Sequence, residues 1–324
     1  METLPGRVFA IGDIHLNLGL QQKIQKRSPG IENDPIRRNE YNSLTKEMTI
    51  WGSEWSGHID IVQRHWDANV TTNDIVILAG DISWSNKTDE ARPDLEWISS
   101  RPGIKVLIKG NHDYWWPNTQ KSMNELEALY NINLVTAERP YCDENVIIGG
   151  TKLDDFTWNV WDPINPFSLL PEKLIVRFDQ ERQDREKKRV QTALGKIEEL
   201  QAKKKRREIF VTHHPPIGQN GEESDVSKMI TQKNIEFCVF GHIHTLARLY
   251  ERDTVKNIDD VIQLFKGVDC VVENTRFQLV ASDVRKHVLT LITEFKINDL
   301  KKISKRLKKR EKLRKQLVEK EKEE

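Results

Sequence analysis

Five short apolar runs in this chain each end in residues that can bind a metal ion or move a proton. Val8 to Ile11 leads into Gly12-Asp13-Ile14-His15, and Ile75 to Ala79 into Gly80-Asp81. Ile104 to Ile108 leads, through Lys109, into Gly110-Asn111-His112-Asp113. Ile209 to Thr212 leads into His213-His214, and Phe237 to Phe240 into Gly241-His242-Ile243-His244. Side chains two apart on an extended segment point the same way. Asp13 with His15, and His242 with His244, can therefore each offer two donors to one point. Asp81 is the lone acid of its run, and one carboxylate can bridge two cations. Asn111 adds a neutral carbonyl oxygen and His213 a further imidazole. Such a mixed nitrogen and oxygen set, with no thiolate, suits manganese, iron, zinc or nickel rather than magnesium or calcium alone. Asp13, His15, Asp81, Asn111, His213, His242 and His244 are too many ligands for one ion, and fit two ions that share Asp81.

Two cations about 3.5–4 Å apart hold a bridging hydroxide and a phosphoryl oxygen, so that the hydroxide attacks phosphorus in line. His112 stands beside Asn111 but outside the ligand set. Its natural task is to protonate or stabilise the departing alkoxide. Asp113 can orient that imidazole, or equally cap the helix that follows. Taken singly, each block is ordinary. A Gly-Asp pair after an apolar run is usually a turn, and a lone Gly-His-x-His is more often a loop than a ligand pair. Five blocks in order are not explained that way.

The ordered set Gly12-Asp13-Ile14-His15, Gly80-Asp81, Gly110-Asn111-His112-Asp113, His213-His214 and Gly241-His242-Ile243-His244 resembles the calcineurin-like metallophosphoesterase family, over residues 7–245. The stretches Gly80-Asp81-Ile82-Ser83-Trp84, Asp94-Leu95-Glu96-Trp97-Ile98 and Lys109 to Trp116 look like a bacterial subgroup of predicted phosphohydrolases. The resemblance implies that Asp13, His15, Asp81 and His244 hold one metal and Asp81, Asn111, His213 and His242 the other, with His112 facing the leaving group. It also implies an α/β fold, a four-layer αββα sandwich of two mixed β-sheets flanked by helices.

The elements that must position these residues are legible in part. Residues 7–15, 75–79, 104–108, 146–150, 209–212 and 237–240 read as buried strands, with further strands across 268–295. In an open α/β sheet, ligands bind outside the carboxyl ends of the strands, which would gather all five blocks at one edge. Helical spacing marks 58–70, 94–99, 118–130 and 224–233. Strands alternate with helices early and cluster late, which favours two sheets inside helical layers. Residues 16–57 show little periodicity and read as a long loop packed by Trp51 and Trp55, a feature often functional. The aromatic stretch 151–170 reads as a loop that could overlie the site. The nine tryptophans read mostly as core or loop packing, with a few near 114–116 and 158–161 as candidates to line the cleft. The charged segment 172–207, with Leu194, Ile197 and Leu200 as a thin stripe, reads as an exposed helix. His214 reads as packed or hydrogen-bonded, His58 and His65 as structural or exposed, His287 as a strand or turn residue, and Asp154 and Asp155 as solvated loop acids. The catalytic domain is expected over 1–297, including the insert at about 172–207. A basic helical or disordered tail follows at 298–324.

Composition sets the outer bounds. The chain has 324 residues, 31% charged and 37% apolar, with a net charge of +1. That balance suits a soluble globular protein and gives no global field towards nucleic acid or membrane. No apolar run approaches the roughly 20 residues of a membrane span, and no basic-then-apolar leader opens the chain. Cys142, Cys238 and Cys270 show no paired spacing, so free thiols and a cytoplasmic location are expected. The expected function is a dinuclear-metal phosphohydrolase acting on a phosphorylated substrate as phosphatase, phosphodiesterase or pyrophosphatase, with manganese first among the metals. One alternative is a nuclease or phosphodiesterase whose tail contacts nucleic acid; another is an inactive scaffold that binds a partner through the tail. Residues 300–324 hold 12 Lys/Arg against 5 Asp/Glu, a surface that could also meet an anionic membrane.

Overall fold

The computed structural model describes residues 6–154, 180–244, 246, 249, 255–295 and 316. Most of the aromatic stretch (155–170), the opening of the charged insert (172–179) and the basic tail apart from residue 316 lie outside the described residues.

The described strands form two mixed sheets. The first has the order β11-β1-β2-β3-β4, with β1 (Gly6–Ile11), β2 (Ile75–Ala79), β3 (Ile104–Ile108), β4 (Ile132–Val135) and β11 (Thr290–Phe295). β1 to β4 run parallel, and only β11 is antiparallel, paired to β1. The second has the order β5-β6-β7-β8-β10-β9, with β5 (Tyr141–Cys142), β6 (Val146–Thr151), β7 (Arg207–Thr212), β8 (Phe237–Phe240), β9 (Asp269–Val272) and β10 (Thr275–Leu279). Its four inner strands are parallel and its two outer ones antiparallel.

Strand alternation sorts the apolar residues into layers. Val8, Ala10, Ile75, Ile77, Val106 and Ile108 of the first sheet meet Val146, Ile148, Ile209, Val211 and Val239 of the second between the sheets. The opposite residues, Phe9, Val76, Leu78 and Leu107, pack under Val62 and Trp66 of α3 (His58–Asn69), Leu95 and Ile98 of α4 (Arg92–Ser100) and Leu126 of α5 (Gln120–Tyr130). Phe210, Cys238 and Phe277 face Val190, Leu194 and Ile197 of α6 (Gln180–Gln201) and Val226 and Ile230 of α7 (Asp225–Thr231). The result is an αββα sandwich. Runs buried on both faces need no polar alternation, which is why the parallel strands read as continuous apolar stretches. Trp66 is fully buried and donates its indole N–H to the Pro102 carbonyl at 2.9 Å. Truncating it to Ala would cost about 3–5 kcal/mol.

Several expectations change. The segment 16–57 is not a plain loop: it carries α1 (Leu18–Arg27), α2 (Arg38–Leu44) and three short 3-10 turns. Its breakers, Ser28-Pro29-Gly30 and Asp34-Pro35, fall between these helices rather than inside them. The first strand stops at Ile11, because the chain turns left-handed at Asp13 and His15. The charged helix is not simply exposed, since Val190, Ala193, Leu194 and Ile197 are buried against β6 and its neighbours. Of the candidates near 114–116, Trp115 and Trp116 take the core alternative under the first sheet, while Tyr114 is exposed. β4, β5 and α8 (Ile258–Leu264) are further elements that the sequence pattern does not mark. Among the described residues, no helix is long and apolar enough to cross a membrane. Cys238 is buried, Cys142 and Cys270 are half-buried, and all three are free.

Candidate metal centre

The neighbours β1, β2 and β3 run parallel, so their carboxyl ends deliver Asp13, Asp81 and Asn111 side by side. β7 and β8 do the same for His213 and His242 in the second sheet. Loop hydrogen bonds then close the seam. Gly12 N–H donates to Val280 O at 2.7 Å, Asp13 N–H to Gly80 O at 2.9 Å and Gly241 N–H to His213 O at 3.0 Å. The turns are tight. A Cβ on Gly110 would lie 2.1 Å from Asp81 Oδ1, and one on Gly241 would lie 2.4 Å from Asp13 Oδ2. Only glycine lets the backbone touch these carboxylates. Four candidate ligands also sit in the left-handed region, with φ of 58° at Asp13, 46° at His15, 50° at Asp81 and 73° at His242. Each costs about 1–2 kcal/mol for a residue with a Cβ, a concentration of strain typical of functional sites.

Two groups of donor atoms result. Asp13, His15, Asp81 and His244 place one ligand atom each within 4.8 Å of one another, and so do His213, His214 and His242. In the first group, His244 Nε2 lies 3.2 Å from Asp13 Oδ1 and 3.3 Å from His15 Nε2. Asn111 belongs with the second, its Oδ1 2.7 Å from His213 Nε2. Asp81 lies between them, with Oδ2 3.9 Å from His15 Nε2 and 3.4 Å from His213 Nε2. The structure thus brings together all seven expected ligands. It adds His214, whose buried ring lies 4.0 Å from that of His242.

The charge balance fits cations. Asp13 and Asp81 are buried, and their ion-pair partners among the described residues are all imidazoles. Burial opposes charge on His213, but the charge and hydrogen bond of Asp81, then the charge of Asp13, raise its imidazole to about 9. Burial likewise opposes protonation of His244, yet Asp13 and Asp283 hold it well above its ordinary value. His15 and His242 are pushed down, chiefly by burial. The buried carboxylates thus draw positive charge onto His213 and His244, charge that divalent ions would supply more compactly.

Outer contacts fix the ligands. His213 Nδ1 faces the Ala79 carbonyl at 2.9 Å, which leaves Nε2 for the site. His244 Nδ1 lies 3.3 Å from Oδ1 of the buried Asp283. Asp283 has no motif around it, and nothing in the sequence marks it. The His15 ring stacks on Trp84 at 4.5 Å and 17°, and the His112 ring is 4.5 Å from the same indole. Trp55 lies behind His244 at 5.7 Å and is held by His58 and His287, at 5.1 and 5.0 Å. The ring nitrogens of His58 face the carbonyls of Trp55 and Ile14, and those of His287 face the Ser282 hydroxyl and the Glu54 carbonyl, so both are structural. Trp55 is a long-range contribution from the segment 16–57, which reads as a loop, while Trp84 belongs to the motif stretch that begins at Gly80.

His112 stands at the rim, partly exposed, with Nε2 4.0 Å from Asp81 Oδ2 and its backbone N–H donating to Asp81 Oδ1 at 2.8 Å. Asp113 points elsewhere. Its Oδ1 accepts from Ile82 N–H (2.9 Å), Ser83 N–H (3.1 Å) and Trp115 Nε1–H (2.9 Å), and its Oδ2 from Gly110 N–H (2.8 Å). It therefore ties the loop after β2 to the loop after β3. The following helix is capped by Thr119 instead. Asp94, also buried, accepts from Leu18 N–H at 2.8 Å and from the hydroxyls of Ser83 and Ser85, joining α4 and α1 to the Asp81 loop. Burial raises its carboxyl to about 6 despite these bonds. Asp154 pairs with Lys152 and Arg182 and belongs to neither donor group. Asp155 lies outside the described residues.

A stretch of 56 residues is 46% identical to the Gene 66 protein of Mycobacterium phage L5, covering 17% of this chain and 27% of that protein. The Gene 66 protein of Mycobacterium phage D29 is 42% identical over 62 residues, 18% of this chain and 31% of that protein. The chain thus spans less than a third of the length of these two relatives. Among solved structures, a phosphopantetheinyl hydrolase from Mycobacterium tuberculosis aligns over 91% of this chain and 97% of its own, at 15% identity and a TM-score of 0.47. TT1561 of Thermus thermophilus aligns over 90% and 99%, at 10% identity and a TM-score of 0.42. Residues 6–246, most of the chain and every candidate ligand, match the calcineurin-like phosphoesterase family. This chain belongs to the calcineurin-like phosphoesterase family.

Proposed function

We propose that this metal-dependent phosphoester hydrolase holds one divalent cation with Asp13, His15, Asp81 and His244, and a second with Asp81, Asn111, His213 and His242. Manganese is the expected ion, with iron, zinc or nickel as the other ions suited to this donor set. The observation that carries the reading is Asp81, whose buried carboxylate stands between the two donor groups. When bound, the two cations supply an activated water and neutralise charge on the phosphoryl group.

The chain's own residues do the rest. Ala79 O and Asp283 orient His213 and His244, so that each presents Nε2. Trp55 and Trp84 form a wall behind the ligands and keep water from reaching them from that side. His112, at the open rim, gives its Nε2 proton to the departing oxygen. Burial lowers its pKa, against the pull of Asp81, so the imidazolium is a stronger acid while a smaller share of it is protonated near neutral pH. The free thiols of Cys142, Cys238 and Cys270 support a reducing compartment, the cytosol.

The experiment is hydrolysis of 4-nitrophenyl phosphate and its bis-ester by the manganese-loaded protein, with metal content measured alongside. Turnover of at least one ester, abolished by a chelator and restored by manganese, is expected. Asp81→Ala should lose both ions and all turnover. Two ions per chain retained in Asp81→Ala would refute the bridging role. Hydrolysis of neither ester nor of a panel of phosphorylated metabolites would refute the function.

A further inference from the structure

We infer that Lys46 is an anion-binding subsite for the leaving half of the substrate, so that the substrate carries a second negative charge beyond the phosphoryl group that is cleaved. This deepens the proposed function and rests on it.

Lys46 lies between α2 and the 3-10 turn Met48–Ile50, inside the segment 16–57. Its loop is built rather than loose. Thr45 is buried and its hydroxyl donates to Tyr41 O at 2.9 Å, while Glu47 N–H donates to Asn42 O at 2.8 Å. The Asn17 amide donates to both Thr45 O and Glu47 Oε2, each at 3.1 Å. Asn17 is two residues past His15, so the loop is tied to the strand end that carries the candidate ligands. Lys46 itself is held left-handed, with φ of 52°, an uncommon conformation for a residue with a Cβ.

The ammonium sits over the Trp84 indole, 4.8 Å from the ring centroid. That ring also contacts His112 and His15. Lys46 is thus one ring away from the imidazole placed at the leaving-group side. It is half-buried, and burial lowers its pKa. The acid that acts on it is Glu90, which is already paired with Lys23. Among the described residues no carboxylate pairs with Lys46 itself; a partly desolvated ammonium in that position is costly, and a substrate anion would supply what it lacks. The scissile phosphoryl group does not need this charge, since the candidate metal ligands gather around Asp81. A carboxylate or second phosphate further out on the leaving group does match it. Lysine suits such a contact as a mobile point charge.

The test uses two stable phosphonates that share a ring and a phosphoryl mimic and differ by one carboxylate: phenylphosphonate and 4-phosphonobenzoate. Calorimetry on the manganese-loaded wild-type protein should show 4-phosphonobenzoate binding about tenfold more tightly, the return on one charge-assisted contact. In Lys46→Met that preference should vanish while phenylphosphonate binds within twofold of wild type. Lys46→Arg should keep most of the preference. No preference in the wild type, or equal weakening of both ligands in Lys46→Met, would overturn the subsite and leave the phosphoesterase reading standing. Binding of neither phosphonate to the wild type would overturn both.

Discussion

Asp113 follows His112 in the chain, and adjacency suggests that it orients that imidazole. Its hydrogen bonds suggest a different job, and Asp113→Asn separates the two. In the variant Oδ1 survives and can still serve Ile82 N–H, Ser83 N–H and Trp115 Nε1–H, while an amide NH2 replaces Oδ2 and faces Gly110 N–H across 2.8 Å. One buried donor is stranded against another. That costs about 1–3 kcal/mol, and three charge-assisted bonds become neutral ones. Part of this is offset. Burial, then repulsion from Asp81, already raises the Asp113 carboxyl to about 6, and the amide removes that penalty. The net loss should be about 2 kcal/mol. Asp113→Ala strands all four donors, at a cost on the order of 5 kcal/mol, a large share of a typical domain's stability. Urea denaturation with a chelator present measures the loss free of metal linkage. The orienting role predicts the opposite pattern: stability unchanged and turnover reduced as much as in His112→Ala. Asp113→Asn with stability within about 0.5 kcal/mol of wild type and that loss of rate would refute the structural reading.

Two further outcomes follow from the site. His112→Ala should keep its fold and metal content but lose turnover by about 10²–10⁴-fold if the imidazole donates a proton. The loss should shrink for a nitrophenyl leaving group, which needs little protonation; equal losses for good and poor leaving groups would leave only electrostatic positioning. Asp283→Asn should weaken metal binding by about 10–100-fold at the group containing His244, read by competition with a coloured chelator. Unchanged affinity there would reduce Asp283 to a packing residue.

The αββα layers follow from the sequence because parallel strands buried on both faces leave an unmistakable local trace. Ile75–Ala79, Ile104–Ile108 and Phe237–Phe240 coincide with strands in the structure. The candidate ligands were legible for a related reason. A donor at the carboxyl end of a strand stands next to the apolar run that positions it, so residue type and position arrive together. Where the signal was thin, the reading failed. α1 and α2 bury only a few side chains each, among them Leu20, Ile24 and Tyr41, so the segment 16–57 shows no clear period. Yet it supplies Trp55 behind His244 and Lys46 over Trp84.

Other features belong to the tertiary structure alone. The left-handed backbone of Asp13, His15, Asp81 and His242 is imposed by loops that must close over one point, against each residue's own preference. Asp283 reaches His244 only because the chain after β10 runs past the end of β1, where Gly12 pairs with Ala281. Asp113 serves loops thirty residues apart, and no local pattern separates that duty from orienting its neighbour. Local sequence determines which residues can be strands and which donors end them. Which donors meet, which proton each holds and which carboxylate stands behind which imidazole depend on contacts between residues far apart in the chain, and only the packed sheets decide them.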